Sequence, residues 1–372
     1  MKVGLITGDA GSVRSGMHNY IFNLIDRLKK NPDLDLTLIT YEKQTIFPDI
    51  PNKTPSYPFP GFSPFFWSQF LSLQKNMFRG FDIVHNPAHY PLLNKPSAKY
   101  ICTIHDITPV SHPQFHSRWR SFYNRIALPR LVKYSDKIIT DSLQTKKDLI
   151  SYYSVPDNKI SVIYLGASQE FKKLDTNATD AIRQKHNLHD PFVLFVGNLE
   201  PRKNIPNLIR AFAQCRKQRP ELKLVISGRK GWMFGEIFNT IAELRVEKSV
   251  RFLDYVPHED LPALYNAASI FVYIPFYEGF GLPPLEAMQC GIPVITSNTS
   301  SLPEIMGDEG IMVDPNDIPD LVDKMNLLLT DDKARRENIL YNLSRCQQFS
   351  WDKCAHQTMK IYEEVLNKPE TN

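Results

Sequence analysis

Short runs of valine, isoleucine and leucine recur along this 372-residue chain, separated by longer stretches with helical spacing. In the first half they are KVGLIT, LTLIT, DIVHN, YICTIHD, KIITDS and ISVIYLG; in the second, FVLFVG, KLVISG, VRFLDYV, IFVYIP, PVITS and GIMVD. These runs are apolar throughout rather than alternating, which is the pattern of strands covered by helices on both faces. Repetition of strand, helix and strand implies parallel sheets joined by right-handed crossovers. Twelve such strands are too many for one open sheet, and the polar, strandless stretch ASQEFKKLDTNATD (167–180) interrupts the rhythm. The expected fold is therefore α/β, with two doubly wound, Rossmann-like domains at 1–168 and 169–351. The last segment, WDKCAHQTMKIYEEVL, has helical spacing, and a terminal helix over 352–372 is expected to cross back onto the first domain. A single eight-fold barrel is the alternative, which twelve strands and the central break disfavour.

Composition narrows the function. Lys and Arg number 44 against 40 Asp and Glu, a net charge of only +4, so no domain carries the basic excess of a nucleic-acid binder. Cys102, Cys215, Cys290, Cys346 and Cys354 form no CxxC pair and read as reduced thiols of a cytosolic protein. The apolar start of MKVGLITGDAG is too short for a signal peptide, and no run approaches the ~18 apolar residues of a membrane span.

Doubly wound sheets bind ligands at the carboxyl ends of their strands, so with two domains the site is expected in the cleft between them. The motifs fall at strand ends. After the first strand, TGDAGSVRSGMHNY carries Gly8, Gly11 and Gly16 ahead of an amphipathic helix, a loop able to approach a phosphate. It is not a GxGxxG fingerprint, and a plain strand-to-helix turn explains it equally well. TIHDITP sets His105 at the end of the fourth strand, where it either faces a ligand or lies buried beside a helix cap formed by Asp106. In GNLEPRKN, Arg202 and Lys203 stand at a helix start, where cations are unfavourable unless an anion is bound there. Finally, FYEGFGLPPLEAMQCG holds Glu278 in a turn and Glu286 one turn into the following helix, eight positions apart among apolar residues, glycine and proline. A carboxylate accepts two hydrogen bonds from adjacent sugar hydroxyls, which gives such glutamates a purpose. An acid/base pair or a metal site is the competing reading.

GNLEPRKN followed by EGFGLPPLE resembles the phosphate-binding and E-x7-E motifs of the GT-B retaining glycosyltransferases of family 4, and GSVRSGMHNY and TIHD are similar to that family's first-domain pattern. The resemblance spans nearly the whole chain. It implies a first domain that binds the acceptor and a second that binds a nucleotide sugar. It implies that Arg202 and Lys203 neutralise the leaving diphosphate, that Glu286 holds the ribose hydroxyls, and that Glu278 contacts the transferred sugar. By the same resemblance, the amides of Phe280, Gly281 and Leu282 meet the phosphates, Gly197 and Asn198 shape the phosphate loop, and Gly228 and Val256 line the base pocket. Gly16 lets the first-domain loop approach the diphosphate, and His105 faces the transferred sugar near the reacting carbon. Such enzymes need no metal, positive side chains and a helix N-terminus taking its place. The resemblance is strongest to mannosyltransferases of surface-polysaccharide assembly. GDP-mannose is thus the expected donor, and a glycan or lipid-linked oligosaccharide the expected acceptor. A UDP-sugar transferase, a sugar-nucleotide 2-epimerase and a non-catalytic nucleotide-sugar sensor are the alternatives.

Other signals carry less. Asp33 and Asp35 form a DxD in a polar turn before an early strand, and His85 and His89 are separated by Pro87, as His112 and His116 are by Pro113, so no metal site is expected. The aromatic segment 57–78 packs on its own sheet or meets lipid. HSRWRSFYNRIALPRLVKYSDK adds Arg118, Arg120, Arg125, Arg130 and Lys133, compatible with peripheral attachment to the inner face of the cell membrane.

Overall fold

The computed structural model describes residues 1–8, 16–55 and 67–367. The loop 9–15 and the first ten residues, 57–66, of the aromatic segment expected at 57–78 lie outside the described residues; within 67–78, Trp67, Leu71 and Phe78 are buried in the core of their own unit. The chain forms two compact units, Met1–Gly166 with Ser350–Asn372, and Ala167–Phe349.

In the first unit the strands are β1 (Lys2–Gly8), β2 (Asp35–Thr40), β3 (Asn52–Lys53), β4 (Ile83–Asn86), β5 (Lys99–Ile104), β6 (Lys137–Thr140) and β7 (Ile160–Val162). They pair in parallel in the order 3-2-1-4-5-6-7. The second unit contains β8 (Phe192–Val196), β9 (Lys223–Ser227), β10 (Val250–Asp254), β11 (Ile270–Tyr273), β12 (Val294–Ser297) and β13 (Met312–Val313), parallel in the order 10-9-8-11-12-13. Each order is that of a doubly wound dinucleotide-type sheet, reversing at β1/β4 and at β8/β11. All twelve apolar runs contain a strand. The addition is β3, a polar two-residue edge pairing in PNKTP that has no hydrophobic run to announce it.

The terminal helix Trp351–Asn367 belongs to the first unit, as expected. Trp351, Cys354, Ala355, Thr358, Met359, Ile361, Tyr362 and Val365 make one buried stripe, which packs on the helix Gly16–Leu28. The Tyr362 hydroxyl lies 2.7 Å from His85 Nδ1, and His85 Nε2 lies 2.8 Å from Thr103 Oγ1. His85 is thus a buried latch for this helix. Gly166 lies against the return of the chain: a Cβ there would sit 2.4 Å from the Trp351 backbone nitrogen.

Candidate active site

In the second unit β8 and β11 are neighbours from which the chain departs to opposite sides of the sheet, so their carboxyl ends flank its switch point. After β8 the chain makes a short 3-10 turn, Pro201–Lys203, and then the helix Ile205–Arg216. After β11 it passes through Glu278 into the helix Leu282–Gln289. Two sets of bonds stitch these loops together. The Phe276 amide donates to the Arg202 carbonyl at 2.8 Å. Asn204, left-handed at φ 57°, donates its side-chain amide to the carbonyls of Ile274 at 3.1 Å and Pro315 at 2.7 Å.

This stitching brings Arg202, Lys203 and Glu278 together. Glu278 Oε2 accepts from Lys203 Nζ at 2.5 Å, from the Tyr273 hydroxyl at 2.6 Å and from Arg202 Nη1 at 3.1 Å. Lys203 Nζ also donates to the Tyr273 hydroxyl, and Arg202 Nε donates to Glu200 Oε2 at 2.9 Å. Burial alone would push the Glu278 carboxyl up, but Arg202 and Lys203 outweigh it and hold the group at about 2. Burial pushes the Lys203 ammonium down, and Arg202 adds to this while Glu278 opposes it. The anions that stabilise two cations beside a helix start are therefore, in the ligand-free protein, the protein's own Glu200 and Glu278. All three hydrogen bonds to Glu278 converge on one oxygen. Among the described residues Oε1 has no hydrogen-bond partner, and the side chain is 14% exposed.

The Glu278 loop is clamped from behind. Ser300 accepts from the Glu278 amide at 2.9 Å and donates to its carbonyl, while Ser301 donates to the carbonyls of Glu278 at 2.9 Å and Phe280 at 2.7 Å. Gly281, at φ +115°, caps the helix; a Cβ there would meet Leu302 at 2.7 Å. Of the four N–H groups that a helix start leaves unpaired, Pro283 and Pro284 carry none, so Gly281 and Leu282 are the donors this end presents.

Glu286 does not join the cluster. It is 6% exposed, accepts from the Tyr265 hydroxyl at 2.9 Å, and is pushed by burial up to about 7. Gly197, at φ +155°, and exposed Asn198 follow β8, and Gly228 follows β9 so closely that a Cβ there would lie 1.9 Å from the Gly197 carbonyl oxygen. That approach by itself requires glycine. Val256 is buried after β10.

In the first unit, Gly16 is exposed and opens the helix Gly16–Leu28. His105 follows β5, with Nδ1 2.5 Å from Asp141 Oδ2 and Nε2 2.9 Å from the Pro87 carbonyl oxygen. Both partners are acceptors, so both ring nitrogens carry hydrogen and the ring is an imidazolium. Burial pushes its pKa down, but Asp141 prevails and the net direction is up. Asp106 caps the turn that follows, accepting from the Thr108 amide at 3.0 Å.

Tyr273, Asn204, Ser300 and Ser301 are site residues that sequence reasoning missed, since nothing in a strand end or a serine pair signals a partner far along the chain. Glu200 was legible as a carboxylate two residues from Arg202.

Two parallel doubly wound sheets and a returning terminal helix define a GT-B protein. Solved structures share this fold: sucrose-phosphate synthase from Thermosynechococcus elongatus, at TM-score 0.78, 22% identity and 98% of each chain, and Anabaena HepE in complex with UDP and glucose, at TM-score 0.76, 18% identity, 97% of this chain and 99% of that one. The family described as Glycosyltransferase Family 4 matches residues 14–171, and Glycosyl transferases group 1 matches 178–343. O-antigen chain mannosyltransferase B of Escherichia coli is 35% identical over 283 residues, covering 76% of this chain and 74% of that protein. The chain belongs to the group 1, family 4 glycosyltransferases and is an enzyme of hexosyltransferase type. Among the described residues, no helix is long and apolar enough to cross a membrane.

Proposed function

We propose that this enzyme transfers mannose from GDP-mannose, with retention and without a metal, to a hydroxyl of a glycan or lipid-linked oligosaccharide in surface-polysaccharide assembly. The observation that carries the donor half is Glu278: three donors hold one oxygen and leave the other to accept a sugar hydroxyl. Beside it, the N–H groups of Gly281 and Leu282, with Arg202 and the remaining N–H of Lys203, suit a diphosphate and supply positive charge where the leaving group develops negative charge. Glu286 would then take the ribose hydroxyls, with Gly197, Asn198, Gly228 and Val256 around the phosphates and base. Mannose is supported by the relative that acts as an O-antigen mannosyltransferase. In this reading the first unit binds the acceptor, Gly16 approaches the diphosphate, and His105 acts on the sugar by its charge, because both of its nitrogens are bonded.

The enzyme would work in the cytoplasm at the inner face of the cell membrane. The helix Arg118–Tyr134 supports that placement: Trp119, Phe122 and Ile126 are 64%, 57% and 44% exposed, and the helix carries four arginines and a lysine with no acidic residue. Flotation with anionic, but not neutral, phospholipid vesicles, lost in Trp119→Ser with Phe122→Ser, is the expected outcome. The donor is tested by thermal unfolding with GDP, GDP-mannose, UDP and UDP-glucose in the presence of EDTA. Ligand at about a thousand times its dissociation constant stabilises by roughly 4 kcal/mol. Selective stabilisation by the guanosine compounds is expected. Stabilisation by the uridine compounds would replace the donor but keep the class, and no response would overturn the site.

A further inference from the structure

Tyr273 is the last residue of β11, five positions before Glu278, and has no exposed surface. Its ring is held by stacking on Phe195, with centroids 5.6 Å apart, and on Phe271 at 6.0 Å. The phenol oxygen accepts from Lys203 Nζ and donates to Glu278 Oε2 at 2.6 Å. We propose that Tyr273 is a positioning residue for the donor sugar, whose hydroxyl fixes Glu278 Oε2 and so presents Oε1 to the sugar. The proposal rests on the donor reading above.

Three donors reach Oε2, but they are not equivalent. Arg202 and Lys203 belong to the turn that would receive the diphosphate, and an arriving anion competes for their N–H groups. Tyr273 is neutral, buried and carried on a central strand, so its hydrogen bond persists whatever the two cations do. It is also the donor of the three whose removal leaves the charge of the site unchanged. The phenol therefore keeps the carboxylate in one orientation through the exchange of partners that donor binding brings about. A carboxylate free to turn would present either oxygen, and the hydroxyl it contacts would no longer be selected.

The test is Tyr273→Phe, which preserves the stacked ring and deletes one oxygen. Calorimetric titration of the full chain with GDP-mannose and GDP, and with UDP-glucose and UDP in parallel, separates the sugar from the diphosphate. The variant should bind the nucleotide sugar about ten- to a hundredfold more weakly, the worth of one charge-assisted hydrogen bond, and the free nucleoside diphosphate as wild type does. In a Glu278→Ala background, which has no side-chain acceptor left for the phenol, the same change should add no further sugar-dependent loss, because the residue acts through that carboxylate. Equal losses for sugar nucleotide and diphosphate, no loss for either, or a full additive loss in the Glu278→Ala background would each overturn the assignment while leaving the donor site standing. If instead Lys203→Ala leaves nucleoside diphosphate binding intact, the donor reading fails, and this assignment with it.

Discussion

Replacing Glu278 by glutamine keeps the shape of the side chain and removes its charge. In the native site one oxygen takes Lys203 at 2.5 Å, Tyr273 at 2.6 Å and Arg202 at 3.1 Å, and Lys203 is only 6% exposed. Glu200 bonds Arg202 but offers Lys203 no direct hydrogen bond. Taking away one partner of a buried ion pair costs about 3–5 kcal/mol. Glutamine still accepts through its carbonyl, recovering about 1 kcal/mol of neutral hydrogen bonding, so the expected loss is about 2–4 kcal/mol. For a unit of this size each kcal/mol moves the melting temperature by about 2–4 °C, giving a fall of roughly 5–12 °C by scanning calorimetry of the ligand-free protein. Adding Lys203→Met should restore much of the loss, because the uncompensated ammonium is then gone. A fall under about 2 °C, or a double variant as unstable as the two single changes summed, would refute the picture of a buried, mutually compensated charge cluster.

Other consequences are equally direct. Glu286 has a carboxyl raised by burial from 4.5 to about 7. The fold therefore holds a proton the unfolded chain releases in that window, and stability falls as pH rises from 4.5 to 7. Glu286→Gln should remove this slope and exceed wild type above pH 7 by up to about 3 kcal/mol, while binding nucleotide more weakly; identical melting curves against pH would sink the idea. His105 acts in the same direction at higher pH: its contribution is complete below its ordinary value of 6.5 and is lost as pH rises through the raised folded value. His105→Ala should abolish that dependence and slow transfer far more than it weakens donor binding, whereas equal losses would make the residue structural. Gly228→Ala, which forces a Cβ against the Gly197 carbonyl at φ +154°, should cost about 3 kcal/mol or more, and a near-native melting temperature would show that the two loops separate easily.

Much of the molecule was legible before any coordinates. The apolar runs located twelve strands because a strand buried on both faces must be hydrophobic throughout, a local property. Gly281 and the proline pair at 283–284 announced a helix start, and the cations at 202 and 203 announced a need for anions. The strand order was not legible, because it depends on which crossovers place β11 beside β8 rather than beside β10. That order carries Glu278 across some 75 residues of chain to Lys203. Burial was not legible either, and burial separates the two glutamates. Glu278, beside two cations, is held ionised, while Glu286, facing a tyrosine in an apolar setting, is pushed toward neutrality. Local pattern set twelve of the strands, the two halves and the residues at their loops, and left only the polar edge strand β3 unannounced. Which charges meet, which oxygen of Glu278 is left unpaired, and the bonding of His105 at both nitrogens came from the packing of distant segments, because local patterns specify faces and turns while long-range pairing sets distance and solvation.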